Sequence, residues 1–217
     1  MEQVFPRVVV FEGVDGTGKT TLTRALAQYY RTYLASARVL AASFPGAETG
    51  TLGEWVYRLH HHRAPEGPDP RTISPAALQL LHVAAHVDAI QRQFTPLLQE
   101  PQGYLLLDRY WWSTYAYARL HLDPARAWGL VHPEHQFWQE LPAPQIVYLR
   151  RQRSLKQNEI NQDTYRRIDQ QYGEVIAKQR EQGVAIHEIE NNGLIEDTWA
   201  AVLTALVLPL HPLQEER

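Results

Sequence analysis

Residues 7–21 read Arg7-Val8-Val9-Val10-Phe11-Glu12-Gly13-Val14-Asp15-Gly16-Thr17-Gly18-Lys19-Thr20-Thr21. The first six form an apolar run closed by glycine, the pattern of a strand buried on both faces. Gly13 to Thr20 match G-x-x-x-x-G-K-[ST] at every position. A random chain of this length matches that pattern about 1 % of the time. Here the match also follows a predicted strand and opens a predicted helix, as the chemistry requires. The glycines let successive N–H groups turn inward around phosphate oxygens. The following helix adds the positive end of its dipole. Lys19 then reaches the β- and γ-phosphates, and the Thr20 hydroxyl binds Mg²⁺. Gly13, Asp15, Gly16, Thr17, Gly18, Lys19, Thr20 and Thr21 are therefore the predicted contacts of a nucleoside triphosphate.

Outward from this loop, short β-branched runs alternate with helical stretches, the signature of parallel βαβ units. Strands are predicted at Arg7–Glu12, Val39–Phe44, Tyr104–Asp108, Gln145–Leu149 and Val184–Ile189. Helices are predicted at Thr20 to Ser36, Gly53–His62, Ser74 to Gln99, Tyr110–Leu120, Asp163–Gln182 and Ile195–Leu208. Ser74-Pro75 supplies a capping serine and a first-turn proline, and Pro96 is expected to kink the end of its helix. Glu134–Leu141 reads as a short helix between prolines. The expected fold is α/β: the P-loop NTPase fold, a five-stranded parallel sheet with helices on both faces. A single kinase domain over residues 1–217 is expected, with a lid at about 150–162.

Composition narrows the function. Twenty-one Lys+Arg against 24 Asp+Glu give a net charge of −3, which excludes a polybasic nucleic-acid coat. That mild balance hides a basic stretch. From Tyr148 to Ile168 there are six basic residues (Arg150, Arg151, Arg153, Lys156, Arg166, Arg167) and two acidic ones (Glu159, Asp163). This fits one small anionic ligand in one crevice. No apolar run reaches the ~18 residues of a membrane span, and Met1 to Arg7 lacks the pattern of a signal peptide. Cysteine is absent, so thiolate chemistry is excluded and a reducing, cytoplasmic location is expected. His60-His61-His62 point in different directions from a helix end and read as a solvated terminus rather than a metal site. The tryptophans Trp111, Trp112, Trp128, Trp138 and Trp199 read as packing residues. A GTPase is disfavoured because the dipeptide Asn-Lys of the guanine-reading N-K-x-D motif occurs nowhere. A small kinase remains.

The flanks of the loop carry a resemblance. Phe11-Glu12-Gly13-Val14-Asp15-Gly16-Thr17-Gly18-Lys19-Thr20-Thr21 resembles the F-E-G-x-D-G-x-G-K-T-T loop of thymidylate kinases. Asp108-Arg109-Tyr110, followed by Ser113, Ala116 and Tyr117, resembles that family's D-R-Y-x-x-S-x-x-A-Y segment. Phe44-Pro45, Thr49 and Leu52-Gly53-Glu54 resemble its segment after strand 2, and Leu80-Leu81 through Ala84 its long pocket helix. The resemblance covers residues 5–120. It implies ATP and Mg²⁺ as cofactors and a deoxynucleoside monophosphate, dTMP, as acceptor. Asp15 would lie near the acceptor sugar and the metal, and Asp108 would help hold Mg²⁺ through water. Arg109 would clamp phosphate, Tyr117 would pack on the deoxyribose, and Ser113 would belong to the same substrate-binding segment. Thr114 would sit where the base edge is read. The family commonly dimerises through helices beside the sheet, so the resemblance also implies a homodimer, with which the apolar Leu78–Ala89 region is compatible.

The departures from that family are specific. Ser43-Phe44-Pro45-Gly46 lacks the arginine that contacts the acceptor phosphate. His86 stands where an arginine reads the thymine edge, and His82 where an aromatic stacks on the base. Gly16 replaces a loop arginine found in some members, whose absence is matched by lid arginines. Arg150, Arg151, Arg153 and Lys156 are the candidates here. Two other readings stand beside the first. One is a kinase for a hydroxyl acceptor, with Glu12, Asp15 or Glu48 as base. The other is a nucleotide-binding protein with weak or no kinase activity.

Overall fold

In the computed structural model, residues 4–46, 48–61, 69–155 and 161–213 are described. Among them the chain runs β1 (Val8–Glu12), α1 (Lys19–Tyr33), β2 (Arg38–Ser43), α2 (Leu52–His60), α3 (Pro75–Ala89) and α4 (Thr95–Gln99). It continues with β3 (Gly103–Asp108), α5 (Trp111–Ala118), α6 (Pro124–Gln139), β4 (Gln145–Arg150), α7 (Gln162–Glu181), β5 (Ala185–Glu190) and α8 (Ile195–Ala205). The five strands are all parallel, in the order β2-β3-β1-β4-β5. The expected α/β sheet is therefore the observed one. The chain leaves β1 for the outer position of β2, returns to place β3 beside β1, and then lays β4 on the other side. The carboxyl ends of β1, β3 and β4 thus border the crevice at which such sheets bind ligands.

Strand alternation decides which helices each residue meets. Val8 and Val10 pack with Leu105, Leu107 and the buried faces of α5, α6 and α7. Val9 and Phe11 pack with Leu106, Val147, α1 and α8. The parity carries to the strand ends. Glu12 follows Val8 and Val10 toward α5 and α7, and Asp108 follows Leu106 toward α1.

Two predicted helices differ. The kink expected near Pro96 is a widened turn over residues 90–94, in which the Thr95 N–H donates to the Ile90 carbonyl. Pro96 has no N–H for the Arg92 carbonyl and its ring presses on that group, so a wider turn relieves both. The short helix predicted at Glu134–Leu141 is the second half of α6. Pro124 is its first residue, the Asp123 carboxylate caps the Arg126 N–H at 2.9 Å, and Pro133 lies inside it. Treating every proline as a boundary missed that the first one starts the helix and that packing overrides the second.

Candidate active site

Between β1 and α1 the chain wraps the phosphate-loop geometry. Gly13 and Gly18 have φ of +142° and +94°. A Cβ on Gly18 would lie 2.6 Å from Asn191 Nδ2, so neither backbone angle nor space admits a side chain. The first turn of α1 has no side-chain cap, which leaves its amides directed at the crevice. Lys19 folds over the loop and donates to the carbonyls of Gly13 (2.8 Å) and Val14 (3.0 Å). Burial, then the Arg109 cation, lowers its pKa to about 8, against the pull of Asp108, Asp15 and Glu12. Thr17 is buried and its hydroxyl donates to the Val14 carbonyl. Gly16 is partly buried, and Thr21 is exposed on the first turn of α1.

The ends of β1 and β3 bring the other predicted residues to this loop. Thr20 Oγ1 donates to Asp108 Oδ2. The second oxygen, Asp108 Oδ1, is buried without a hydrogen-bond partner among the described residues. Arg109 is bent into the left-handed region, φ +77°, a conformation that costs a non-glycine residue roughly 1–2 kcal/mol. The bend lets its N–H stay on the Phe11 carbonyl at 2.9 Å while its side chain turns over the loop. There Arg109 pairs with Asp15 Oδ1 and donates to Ser113 Oγ at 3.0 Å. Its guanidinium lies 5.8 Å from the centroid of the Tyr117 ring. The Tyr117 hydroxyl completes the cluster by donating to Asp15 Oδ2 at 2.6 Å.

Glu12 sits beneath this cluster, fully buried. Its Oε1 accepts from the N–H groups of Tyr110 (2.8 Å) and Ser113 (3.0 Å). Its Oε2 accepts from Ser113 Oγ (2.8 Å), the Tyr172 hydroxyl (2.9 Å) and the Gly13 N–H (3.2 Å). The helix α5 has no cap from its own N-cap residue; the Glu12 carboxylate caps it from β1. Burial raises the Glu12 pKa, opposed by Arg109, Ser113, Lys19 and Tyr172. Five donors make Glu12 a clasp that joins β1, α5 and α7.

The predicted base-reading residues lie on another side of the crevice. The Phe44 ring stacks on His86, with centroids 3.8 Å apart and planes 9° from parallel. His86 is buried and its Nδ1 lies 2.8 Å from Glu134 Oε2. Glu134 Oε1 accepts from the Trp138 indole N–H at 3.0 Å. The imidazole that sequence pattern placed at the base edge is thus held between Phe44 and a carboxylate of α6. His82 is partly buried one turn earlier, with ring centroids 5.4 Å from His60 and 6.2 Å from His86. Burial, then His86, His60, Arg109 and His61, lowers its pKa well below the usual range, so it is a neutral ring. Thr114 and Ser113 are buried on α5. Trp111 and Trp112 are core residues, as their packing assignment expected.

The basic segment after β4 divides. Arg150 pairs with Glu188 at 3.1 Å, and Arg151 donates to the Asn191 carbonyl. Arg153 is exposed. Lys156 and Glu159 lie outside the described residues, as do His62 and part of the expected lid. Ser154 Oγ donates to the Asp15 carbonyl at 2.7 Å, and the Leu155 N–H to Gly16 at 3.2 Å. These bonds dock the segment on the phosphate loop.

Sequence reasoning missed Asn191. It is buried at the end of β5, donates to the Thr17 carbonyl at 2.8 Å, and accepts from Thr198 Oγ1 at 2.9 Å. Its signal was the Asn191-Asn192-Gly193 turn directly after a parallel strand. Tyr172 and Glu134 were missed as well, and nothing in their local sequence marks them.

Comparison with known proteins agrees with this geometry. A family profile described as Thymidylate kinase matches residues 11–197. The Thymidylate kinase of Mycoplasma pneumoniae is 32% identical over 112 residues, 52% of this chain and 48% of that protein. The Thymidylate kinase of Prochlorococcus marinus strain MIT 9313 is 32% identical over 161 residues, 68% of this chain and 71% of that protein. The matched part thus spans about half the length of the first of these relatives. A crystal structure of thymidylate kinase from Ehrlichia chaffeensis superposes with a TM-score of 0.67 at 19% identity, covering 92% of this chain and 97% of that one, which establishes the shared fold. With the phosphate loop and the Asp108-Arg109 pair in place at the sheet's carboxyl edge, the chain belongs to the thymidylate kinase family.

Proposed function

We propose that this chain transfers the terminal phosphoryl group of ATP to a deoxynucleoside monophosphate, dTMP, giving ADP and dTDP. The observation that carries the choice of acceptor is the engagement of the carboxylates. A hydroxyl acceptor needs a base, but Glu12 holds five donors and Asp15 holds Arg109 and Tyr117. Glu48 is exposed in the loop after β2, on the rim of a cavity of about 320 Å³ that Phe44 also lines. A phosphate oxygen is already an anion and needs no base.

Phosphoryl transfer then rests on positioning and charge. The loop amides and Lys19 hold the triphosphate. Arg109 swings from Asp15 to the acceptor phosphate, and Arg153 adds charge from the lid. Asp15 and Tyr117 face the sugar, with Phe44, His82, His86, Ser113 and Thr114 around the base side. Thr20 and Asp108 are the residues that would hold Mg²⁺. The unpartnered, buried Asp108 Oδ1 beside the Thr20 hydroxyl is an all-oxygen set suited to that cation, which supplies neutralisation of phosphate charge when bound.

We read the chain as one kinase domain that works in the cytoplasm, where its nucleotides are. Among the described residues no helix is long and apolar enough to cross a membrane. A homodimer through α2 and α3 is supported by the exposed Leu52, Trp55 and Leu80; sedimentation of the purified chain tests it. The activity is tested by coupled ADP release with dTMP, dUMP, other nucleoside monophosphates and thymidine, with Lys19→Ala as control. Turnover on dTMP is expected. Turnover on thymidine alone would replace this reading with the hydroxyl-acceptor kinase, and ATP binding without ADP release would leave a nucleotide-binding protein.

A further inference from the structure

We propose that Tyr172, on α7, is a positioning residue that fixes the Arg109 guanidinium through Ser113; this rests on the reading of Arg109 as the phosphate clamp. Three groups meet Ser113 Oγ: Glu12 Oε2 at 2.8 Å, the Tyr172 hydroxyl at 2.8 Å, and an Arg109 amino group at 3.0 Å. A serine hydroxyl has one proton and two lone pairs. Arg109 only donates, so it takes a lone pair. Glu12 Oε2 accepts from Ser113 Oγ, so it takes the proton. The Tyr172 hydroxyl is the third fixed point, donating to Ser113 Oγ or to Glu12 Oε2 at 2.9 Å.

Tyr172 is built to stay a donor. It is fully buried. Burial, then the Glu12 carboxylate, raises its pKa well above the usual range. Its ring packs on Tyr148 with centroids 5.1 Å apart. One face of α7 fixes its axial position, because Tyr165, an i, i+7 step earlier, donates to the Arg151 carbonyl at 2.8 Å.

The arrangement matters because Arg109 uses its two amino groups differently. One is tied to Ser113, and the other pairs with Asp15. When the acceptor phosphate draws the second away, the tether to Ser113 is the side-chain hydrogen bond that still sets where the cation points, beside the Tyr117 ring. Tyr172 never touches the substrate in this scheme. It limits the arc through which Arg109 moves.

The experiment uses the full chain with labelled arginine. Exchange of the Arg109 Nη–H protons with water is followed by NMR, the signals being identified by their loss in Arg109→Lys. Tyr172→Phe, which keeps the ring in the core, is expected to speed that exchange about tenfold; an unchanged rate overturns the proposal. Ser113→Ala breaks the same relay and should give the same rise, which keeps the test decisive if Tyr172→Phe folds poorly. Turnover of ATP and dTMP is then measured in a cycle with Arg109→Ala. Tyr172→Phe should lower kcat about tenfold with KM for ATP nearly unchanged, and less than twofold in the Arg109→Ala background. An equal loss in both backgrounds means a merely structural role and overturns the proposal. If the unaltered chain fails to turn over dTMP, the functional reading falls, and the exchange measurement still decides the positioning.

Discussion

Replacing Glu12 by glutamine separates a structural carboxylate from a catalytic one, because the two roles predict opposite outcomes. The glutamine carbonyl can take over the Tyr110 and Ser113 N–H groups, which cannot reverse. Its amide then faces Ser113 Oγ and the Tyr172 hydroxyl. Both hydroxyls can turn to accept, and Tyr172 can pass its proton toward the Gly13 carbonyl at 3.4 Å. Only the Gly13 N–H at 3.2 Å loses its acceptor. Losing the charge weakens the remaining bonds, and removing a buried ion returns part of that, so the net loss is about 1–3 kcal/mol. For a chain of this size that is roughly 2–12 °C in Tm. Glu12→Ala has no such rescue. It strands two backbone N–H groups at the start of α5 and opens a cavity, for about 4 kcal/mol or more. The pH dependence has a definite sign. A carboxyl whose folded pKa lies above its unfolded value binds more protons when folded, so its contribution to stability falls as pH rises. The Tm advantage of the unaltered chain over Glu12→Gln should therefore grow as pH is lowered from 7 toward 4.5. Calorimetry and coupled ADP release check both arms: kcat of Glu12→Gln should stay within about tenfold. A thousandfold loss of kcat at an unchanged Tm would refute the reasoning and make Glu12 the base of a hydroxyl acceptor.

Arg109→Ala should lower kcat with dTMP by about 10²–10³ and leave ATP affinity within a few fold; steady-state kinetics beside ATP titration checks this, and equal loss of both counts against an acceptor-side role. Asn191→Ala removes the bond to the Thr17 carbonyl and the acceptor of the Thr198 hydroxyl, which keeps the Leu194 carbonyl at 3.4 Å, so KM for ATP should rise about tenfold, or about 1.4 kcal/mol, with kcat little changed. Glu134→Ala leaves both the His86 and the Trp138 ring nitrogens buried without this acceptor. It should cost about 3 kcal/mol, roughly 6–12 °C in Tm by differential scanning calorimetry.

The parts of this molecule that sequence made legible are contiguous ones. The central strands β1, β3 and β4 are apolar runs because parallel strands are covered on both faces. Ser74-Pro75 and Gly183, whose φ is +81°, mark helix ends through their own backbone chemistry. The phosphate loop and Asp108-Arg109 were legible for the same reason: their function lies in neighbours along the chain. Tyr172, Asn191 and Glu134 act through partners 160, 174 and 48 residues away. His86 shows the consequence. Its place on α3 was legible, and Glu134 fell on a predicted helix, but nothing along the chain brought that helix against α3, so the carboxylate that holds the imidazole was invisible.

The two strand-end acids carry the same lesson at finer grain. Glu12 and Asp108 both close an apolar run at the carboxyl edge of a central strand, and residue type alone cannot tell them apart. Register can. Phe11 pairs with Asp108 across the β1 and β3 ladder, so Asp108 shares the Phe11 face and meets Thr20 on α1. Glu12, one residue on, is turned to the opposite face, where α5 and α7 bring five donors to it. A period of two thus sends one carboxylate to the phosphate loop with an oxygen still open and seals the other beneath it. The same step that denies Glu12 a catalytic proton gives Arg109 its floor, since the serine that tethers the guanidinium is itself held by Glu12. Clamp and clasp are therefore one structure, and a substitution in either should be felt at the acceptor phosphate before it is felt at ATP.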